Sequence, residues 1–164
     1  MTVLLEETES RALSETAAIC RRWFTEHWRS RAKTLLLLDG EMGAGKTAFV
    51  RSLGAALEIS ANINSPTFNL LNIYESSAST WRLFHYDLYR IQNPSELDEL
   101  DFAERWAMSA GETREIHAIE WWSRAKDYLP AGEPRYLVEI QLPPDPAGEE
   151  EEWRGFRLSK HEFQ

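Results

Sequence analysis

The string Gly40-Glu41-Met42-Gly43-Ala44-Gly45-Lys46-Thr47 constrains this chain more than any other feature. It fits G-x-x-x-x-G-K-[ST], a loop whose backbone N–H groups wrap a polyphosphate. At average residue usage, chance writes this pattern in roughly one chain in two hundred. The context agrees with the pattern. The apolar run Thr34-Leu35-Leu36-Leu37-Leu38 precedes the loop as a strand, and Ala48 to Leu57 follows as a helix with Phe49, Val50, Leu53, Ala56 and Leu57 on one side. A strand, a glycine loop and a helix in that order predict an α/β fold with a triphosphate site at the loop.

The residue types explain why. Gly40, Gly43 and Gly45 carry no Cβ, so the chain can take positive φ and lie close to an anion. The N–H groups from Gly40 through Glu41, Met42, Gly43, Ala44, Gly45, Lys46 and Thr47 to Ala48 form a concave nest, and the helix adds its positive N-terminal end. Lys46 brings a mobile charge for the β- and γ-phosphates. Thr47 brings a hydroxyl for Mg2+, a cation that keeps most of its waters and takes few protein ligands.

A length of 164 residues suits a single α/β domain with a real core, 1–164, in which residues 160–164 read as a tail. The net charge of −9 argues against a direct grip on nucleic acid through phosphate contacts. If a polynucleotide is involved, another subunit holds it. One cysteine, Cys20, excludes an internal disulfide, and its helical neighbours Ala17 and Phe24 make it a small buried hydrophobe. No stretch approaches the roughly 18 apolar residues of a membrane span, and the acidic N-terminus does not read as a signal peptide, so a cytoplasmic location is expected.

Leu13, Ala17, Cys20, Phe24 and Trp28 recur at helical spacing and predict one amphipathic helix from about Ser10 to Trp28. Phe68–Tyr74 and Trp81–Tyr86 read as strands of an antiparallel hairpin joined by Glu75–Thr80. Asn93-Pro94 opens a further helix with Leu97 and Leu100. Glu115–Glu120, Tyr136–Leu142 and Trp153–Leu158 read as strands, with a turn at Pro143–Pro146 and a solvated run at Glu149–Glu152 before the last.

Two acids stand where a phosphate-handling site needs them. Asp87 follows Arg82–Tyr86, and Glu120 ends Ile116–Ile119; acids at the carboxyl ends of parallel strands face the ligand crevice. Spacing alone leaves open which of them touches Mg2+. His85 reads as a packed or hydrogen-bonded histidine rather than a base. No N-K-x-D string selects guanine, and the one D-x-x-G, Asp145–Gly148, lies in a proline-rich turn, so ATP is favoured. No arginine-rich segment reads as the lid of a small-molecule kinase.

Ser65-Pro66-Thr67-Phe68, His85-Tyr86-Asp87-Leu88-Tyr89-Arg90 and Ile119-Glu120-Trp121, in this order after Gly40–Thr47, resemble the TsaE (YjeE) family. That family is the P-loop ATPase of bacterial tRNA threonylcarbamoyladenosine synthesis, and the resemblance runs from the first helix to about Leu158. It implies one P-loop domain with a mixed parallel and antiparallel sheet flanked by helices, binding ATP and Mg2+. It also implies TsaD-like and TsaB-like partner subunits that modify adenosine 37 of tRNAs reading codons that begin with A, with tRNA met through the complex. ATP hydrolysis would support repeated turnover of that complex. By the same resemblance Thr47 and Glu120 are Mg2+ contacts, and Asp87 is a catalytic or metal-linked acid. Thr67 is a switch-type residue near the γ-phosphate, and Trp121 stands beside the site. Arg154 reaches the nucleotide from the last strand, and the stretch around Glu7 approaches the base. The chain departs from the pattern at Ala48, where the family has a second threonine, and at Trp122-Ser123-Arg124 after Glu120-Trp121. An alternative from another class is a nucleotide-gated interaction module with little turnover, for which seven tryptophans offer aromatic surface.

Overall fold

The run Lys33–Asp39 (β2) is apolar at every position from Leu35 to Leu38, the mark of a strand buried on both faces. In this computed structural model, which describes residues 1–108, 110–131, 134–144 and 152–161, β2 lies at the centre of a seven-stranded sheet. The other strands are β1 (Thr2–Ser10), β3 (Leu71–Glu75), β4 (Trp81–Asp87), β5 (Arg114–Glu120), β6 (Arg135–Gln141) and β7 (Arg154–His161). Their order is β1-β7-β6-β2-β5-β4-β3. The inner four, β6, β2, β5 and β4, run parallel, while β3, β7 and β1 add antiparallel edges. The fold is therefore the mixed-sheet α/β arrangement that the sequence implied.

Alternation along the strands sorts the core into two layers. Leu36 and Leu38 point to one face with Leu83, Ile116 and Ala118, under α1 (Leu13–Trp23) and α2 (Lys46–Ala56). Leu35 and Leu37 point to the other with Phe84, Tyr86 and Ile119, under a 3-10 turn (Pro94–Leu100), α3 (Phe102–Ala107) and a second 3-10 turn (Trp122–Tyr128). Trp23, Trp28, Trp81 and Trp106 are core residues, so most of the indole surface is spent on packing. Cys20 is fully buried, and burial pushes its thiol well above the usual range, which leaves it inert.

Four expectations need correction. The predicted helix from Ser10 to Trp28 stops being α-helical at Trp23. Phe24–Trp28 form a π-helical turn in which the Arg29 N–H donates to the Phe24 carbonyl at 2.8 Å. The wider turn keeps both Phe24 and Trp28 buried, with their rings edge-on to Trp81 and Tyr136. Ser10, read as the start of that helix, instead ends β1, an edge strand pairing with β7. The segment after Asn93 is a 3-10 turn over Pro94–Leu100, closed by a reciprocal Asn93–Glu96 capping box, rather than an α-helix. Finally, β7 continues through His161, which pairs with Thr2, so residues 160 and 161 belong to the sheet rather than to a tail. Residues 162–164, the Asp145–Gly148 turn and Glu149–Glu151 lie outside the described residues.

The antiparallel hairpin is present as β3 and β4, although Phe68 lies before β3 and is exposed. One row of the sheet gathers the two acids beside the end of β2. At the carboxyl ends of the parallel strands Leu38 pairs with Glu120, and Glu120 with Asp87.

Candidate functional site

The glycine loop spans from the end of β2 to the first residue of α2, with φ of +150° at Gly40, +81° at Gly43 and +107° at Gly45. At Gly40 the demand is also spatial, because a Cβ there would stand 2.7 Å from the Ile140 carbonyl oxygen and 3.1 Å from Ala44 Cβ. Only glycine lets the loop pass β6 this closely. The loop delivers the N-terminus of α2, and with it a ring of outward N–H groups, to the row that carries Glu120 and Asp87.

Lys46 Nζ donates to the carbonyls of Gly40 at 2.6 Å and Glu41 at 2.9 Å, and lies 4.8 Å from the centre of the Trp121 ring. Trp121 itself sits at φ +57°, ψ +34°, directly after Glu120. A bulky residue in the left-handed region costs on the order of 1–3 kcal/mol and persists where surrounding structure enforces it. Here the enforcing contacts are Lys46 above the ring and Tyr89, whose ring lies 5.2 Å away.

Thr47 Oγ1 donates to Glu120 Oε1 at 3.2 Å, and His85 Nε2 donates to the same oxygen at 2.8 Å. Next in the row, the Asp87 carboxylate accepts from Ser65 Oγ at 2.9 Å, Thr67 Oγ1 at 3.0 Å and the Tyr89 N–H at 3.0 Å. Both carboxylates are buried, yet each meets hydroxyl groups rather than a Lys or Arg. Thr67, Asp87, Glu120, Thr47, Lys46 and Trp121 thus stand together around the loop. The reading of His85 as a hydrogen-bonded histidine holds.

On the far side of the loop, Arg154 Nε donates to the Ala44 carbonyl at 3.0 Å. Arg154 joins Ala44, Gly45, Ala48, Leu13 and Phe156 around a cavity of about 380 Å³. Glu7 does not join them. Its carboxylate lies 3.4 Å from the Arg157 guanidinium, three residues along β1 from the loop-side Ser10, in a separate groove with Gln141 and Trp153. The structure thus places Glu7 apart from the cavity that Leu13 and Phe156 line. Sequence reasoning gives no role to Ser65, although it sits inside a recognisable string, or to the His85–Glu120 bond.

The donor set suits a hard cation held partly by a ligand. Thr47 supplies a hydroxyl, Glu120 and Asp87 supply carboxylate oxygens, and the lysine stands opposite them. Among the described residues no three His, Cys, Asp or Glu side chains form a metal cage of their own. That sparse oxygen set fits Mg2+ bound mainly to phosphates and water, and fits zinc or calcium poorly. Among the described residues no helix is long and apolar enough to cross a membrane.

Known proteins resemble this chain in sequence and in fold. The crystal structure of Bacillus subtilus YdiB superposes with a TM-score of 0.67 over 97% of this chain and 86% of that one, at 23% sequence identity, a likeness of fold. The tRNA threonylcarbamoyladenosine biosynthesis protein TsaE of Treponema pallidum is 33% identical over 133 residues, covering 80% of this chain and 90% of the relative. The protein of the same description from Rickettsia typhi is 46% identical over 109 residues, covering 66% of this chain and 67% of the relative. The family model described as "Threonylcarbamoyl adenosine biosynthesis protein TsaE" matches residues 10–150, which take in the glycine loop, both acids and the Thr67 segment. On the strength of that match this chain belongs to the TsaE family of threonylcarbamoyl adenosine biosynthesis proteins.

Proposed function

We propose that this chain binds ATP with Mg2+ at the Gly40–Thr47 loop and hydrolyses it in support of tRNA threonylcarbamoyladenosine synthesis. In this reading it serves TsaD-like and TsaB-like subunits that modify adenosine 37 of tRNAs reading codons that begin with A. It meets tRNA through that complex, in the cytoplasm. The observation that carries the proposal is the convergence of Thr47, Glu120, Asp87 and Thr67 at one end of the parallel strands, beside the lysine of a glycine loop. A phosphate-binding loop alone needs no such acids.

Each group has a task that follows from its chemistry. The loop N–H groups and the α2 N-terminus hold the β- and γ-phosphates. Lys46 has a mobile ammonium that can exchange the Gly40 and Glu41 carbonyls for phosphate oxygens. Thr47 and Glu120 are the residues that would hold Mg2+, with Asp87 beside them. When bound, the ion would supply positive charge to offset the negative charge that builds up on the phosphates. Asp87 fixes the hydroxyls of Ser65 and Thr67, and the Thr67 oxygen keeps lone pairs with which to orient an attacking water. The cavity beside Arg154 and Phe156 has the apolar wall and cationic edge suited to a base and ribose. Selection of adenine over guanine rests on the missing N-K-x-D string.

A second reading, a nucleotide-gated interaction module with little turnover, draws support from Phe68. This side chain is 87% exposed, one residue after Thr67 and beside the Arg90 guanidinium. Measuring ATP hydrolysis alone and with TsaD–TsaB separates the two. Turnover that rises with the partners and disappears in Lys46→Ala supports the ATPase. Hydrolysis absent in both states favours the module, and wild-type turnover in Lys46→Ala would refute the loop assignment.

A further inference from the structure

We infer that His85 is a positioning residue that fixes the Glu120 carboxylate for the metal side of the site. On β4, Leu83, His85 and Asp87 point to the α2 face, and on β5 so do Ile116, Ala118 and Glu120. His85 pairs with Ala118, whose methyl leaves room beside it for an imidazole to lean along the sheet towards Glu120. The ring does so, and reaches Oε1 at 2.8 Å with a side chain that is 0% exposed. A carboxylate oxygen only accepts, so the histidine is the donor.

Three further observations separate this role from packing. The ring's other nitrogen, Nδ1, is buried with no hydrogen-bond partner, so the bond to Glu120 is all the polar work the ring performs. An apolar side chain here would fill the core without that orphan atom, so the imidazole is a poor choice for stability. The third lies in the carboxylate. His85 and Thr47 both donate to Oε1, and among the described residues Oε2 takes no hydrogen bond. Two donors on one oxygen fix the carboxylate plane and leave the second oxygen as the available ligand. This is the task of outer-sphere partners, whose loss usually costs about 10- to 100-fold in metal affinity or activity.

The inference rests on the proposed Mg2+ and nucleotide site, and its test keeps the two apart. The affinity of the full chain for mant-ADP is measured by fluorescence, in EDTA and in MgCl2, for wild type, His85→Gln and His85→Asn. Glutamine places an amide N–H where Nε2 stands. Asparagine carries the same amide one methylene short and cannot reach Glu120. Both variants bury the same polar group, so a general loss of folding affects them alike and shows in their unfolding temperatures. The expected result is unchanged affinity in EDTA for all three, a Mg2+-dependent gain retained in His85→Gln, and a gain reduced about tenfold in His85→Asn. Equal Mg2+ responses in the two variants, whether both intact or both lost, overturn the inference. A wild type whose affinity ignores Mg2+ overturns the proposed site itself, and His85 with it.

Discussion

His117 offers a sharp test of the buried polar chemistry beneath the site. It lies on β5 three residues before Glu120, on the opposite face of the sheet, with its ring stacked 4.4 Å from Phe84. The Tyr86 hydroxyl donates to Nδ1 at 3.0 Å, and Nε2–H donates to Glu115 Oε2 at 3.2 Å, so the neutral ring is satisfied at both nitrogens. Burial pushes its pKa from 6.5 down to about 4; the Glu115 bond opposes this, and Lys33 and Arg105 add to it. The unfolded chain takes up a proton below pH 6.5, while the folded chain resists until about pH 4, so stability falls as pH drops through that window. At about 1.4 kcal/mol per pH unit, the loss attributable to this ring is on the order of 3 kcal/mol at full protonation. The Glu115 carboxylate, held below its usual range chiefly by the His117 bond, adds a loss of the same sign below about pH 4.5. In His117→Asn the amide oxygen can still accept from Tyr86 but does not titrate. Urea unfolding from pH 7.5 to 4.5 should show the variant less stable at neutral pH by about 1–3 kcal/mol, the usual cost of a stranded buried partner. That gap should close towards pH 4.5. A gap that stays constant across this range would falsify the assignment of a neutral buried His117.

Three further outcomes bear on the site. Asp87→Asn keeps an oxygen for the Tyr89 N–H, and the Ser65 and Thr67 hydroxyls can turn to accept. Stability should therefore change by no more than about 1 kcal/mol. Single-turnover ATP hydrolysis should still fall about 100-fold or more, because the charge is gone; wild-type turnover would remove Asp87 from the chemistry. Ala48→Thr restores the hydroxyl that the family pattern carries beside the cavity, and one added hydrogen bond of about 1 kcal/mol should tighten ADP binding about fivefold by calorimetry. Unchanged or weaker binding would mean that this chain has built its nucleotide contacts around the alanine. Gly40→Ala forces a Cβ to within 2.7 Å of the Ile140 carbonyl at a φ of +150°. Thermal unfolding should show a loss of about 1–3 kcal/mol, and fluorescent-nucleotide titration at least tenfold weaker binding. A variant indistinguishable from wild type in both would show that the loop can move away from β6.

What can be read from the sequence is local, or local in pairs. The glycine loop declares itself because positive φ and close backbone approach admit few residue types. β2 declares itself because a strand buried on both faces carries an unbroken apolar run, and β5 because Ile116, Ala118 and Ile119 crowd into one short segment that ends in an acid. Asp87 and Glu120 stand out because an acid that ends such a strand is costly without a task. β1 escapes notice because nothing in Thr2–Ser10 alternates cleanly. Three glutamates lie on an edge strand, and the register slips between Leu4 and Glu6, so the period-two pattern breaks where it is needed. The π-helical turn escapes for a related reason. The four-residue spacing of Cys20, Phe24 and Trp28 fits an α-helix until the wider turn is seen to bury Trp23, Phe24 and Trp28 together.

The contacts that turn motifs into a site are long-range, and no local pattern carries them. Arg154 meets the loop across 110 residues of sequence, Thr47 meets Glu120 across 73, and Ser65 meets Asp87 across 22. Parallel pairing makes these meetings possible. It sets Leu38, Glu120 and Asp87 side by side, and the loop then brings Thr47 over the middle one. Glu7 shows the converse. It lies only three residues from Ser10 at the loop end of β1, yet the pleat turns it towards Arg157 instead of the cavity beside Arg154. A residue's distance from a motif along the chain therefore predicts little here. Strand register and strand face decide membership of the site, and by that criterion His85, two residues from Asp87 on the same face, belongs with it.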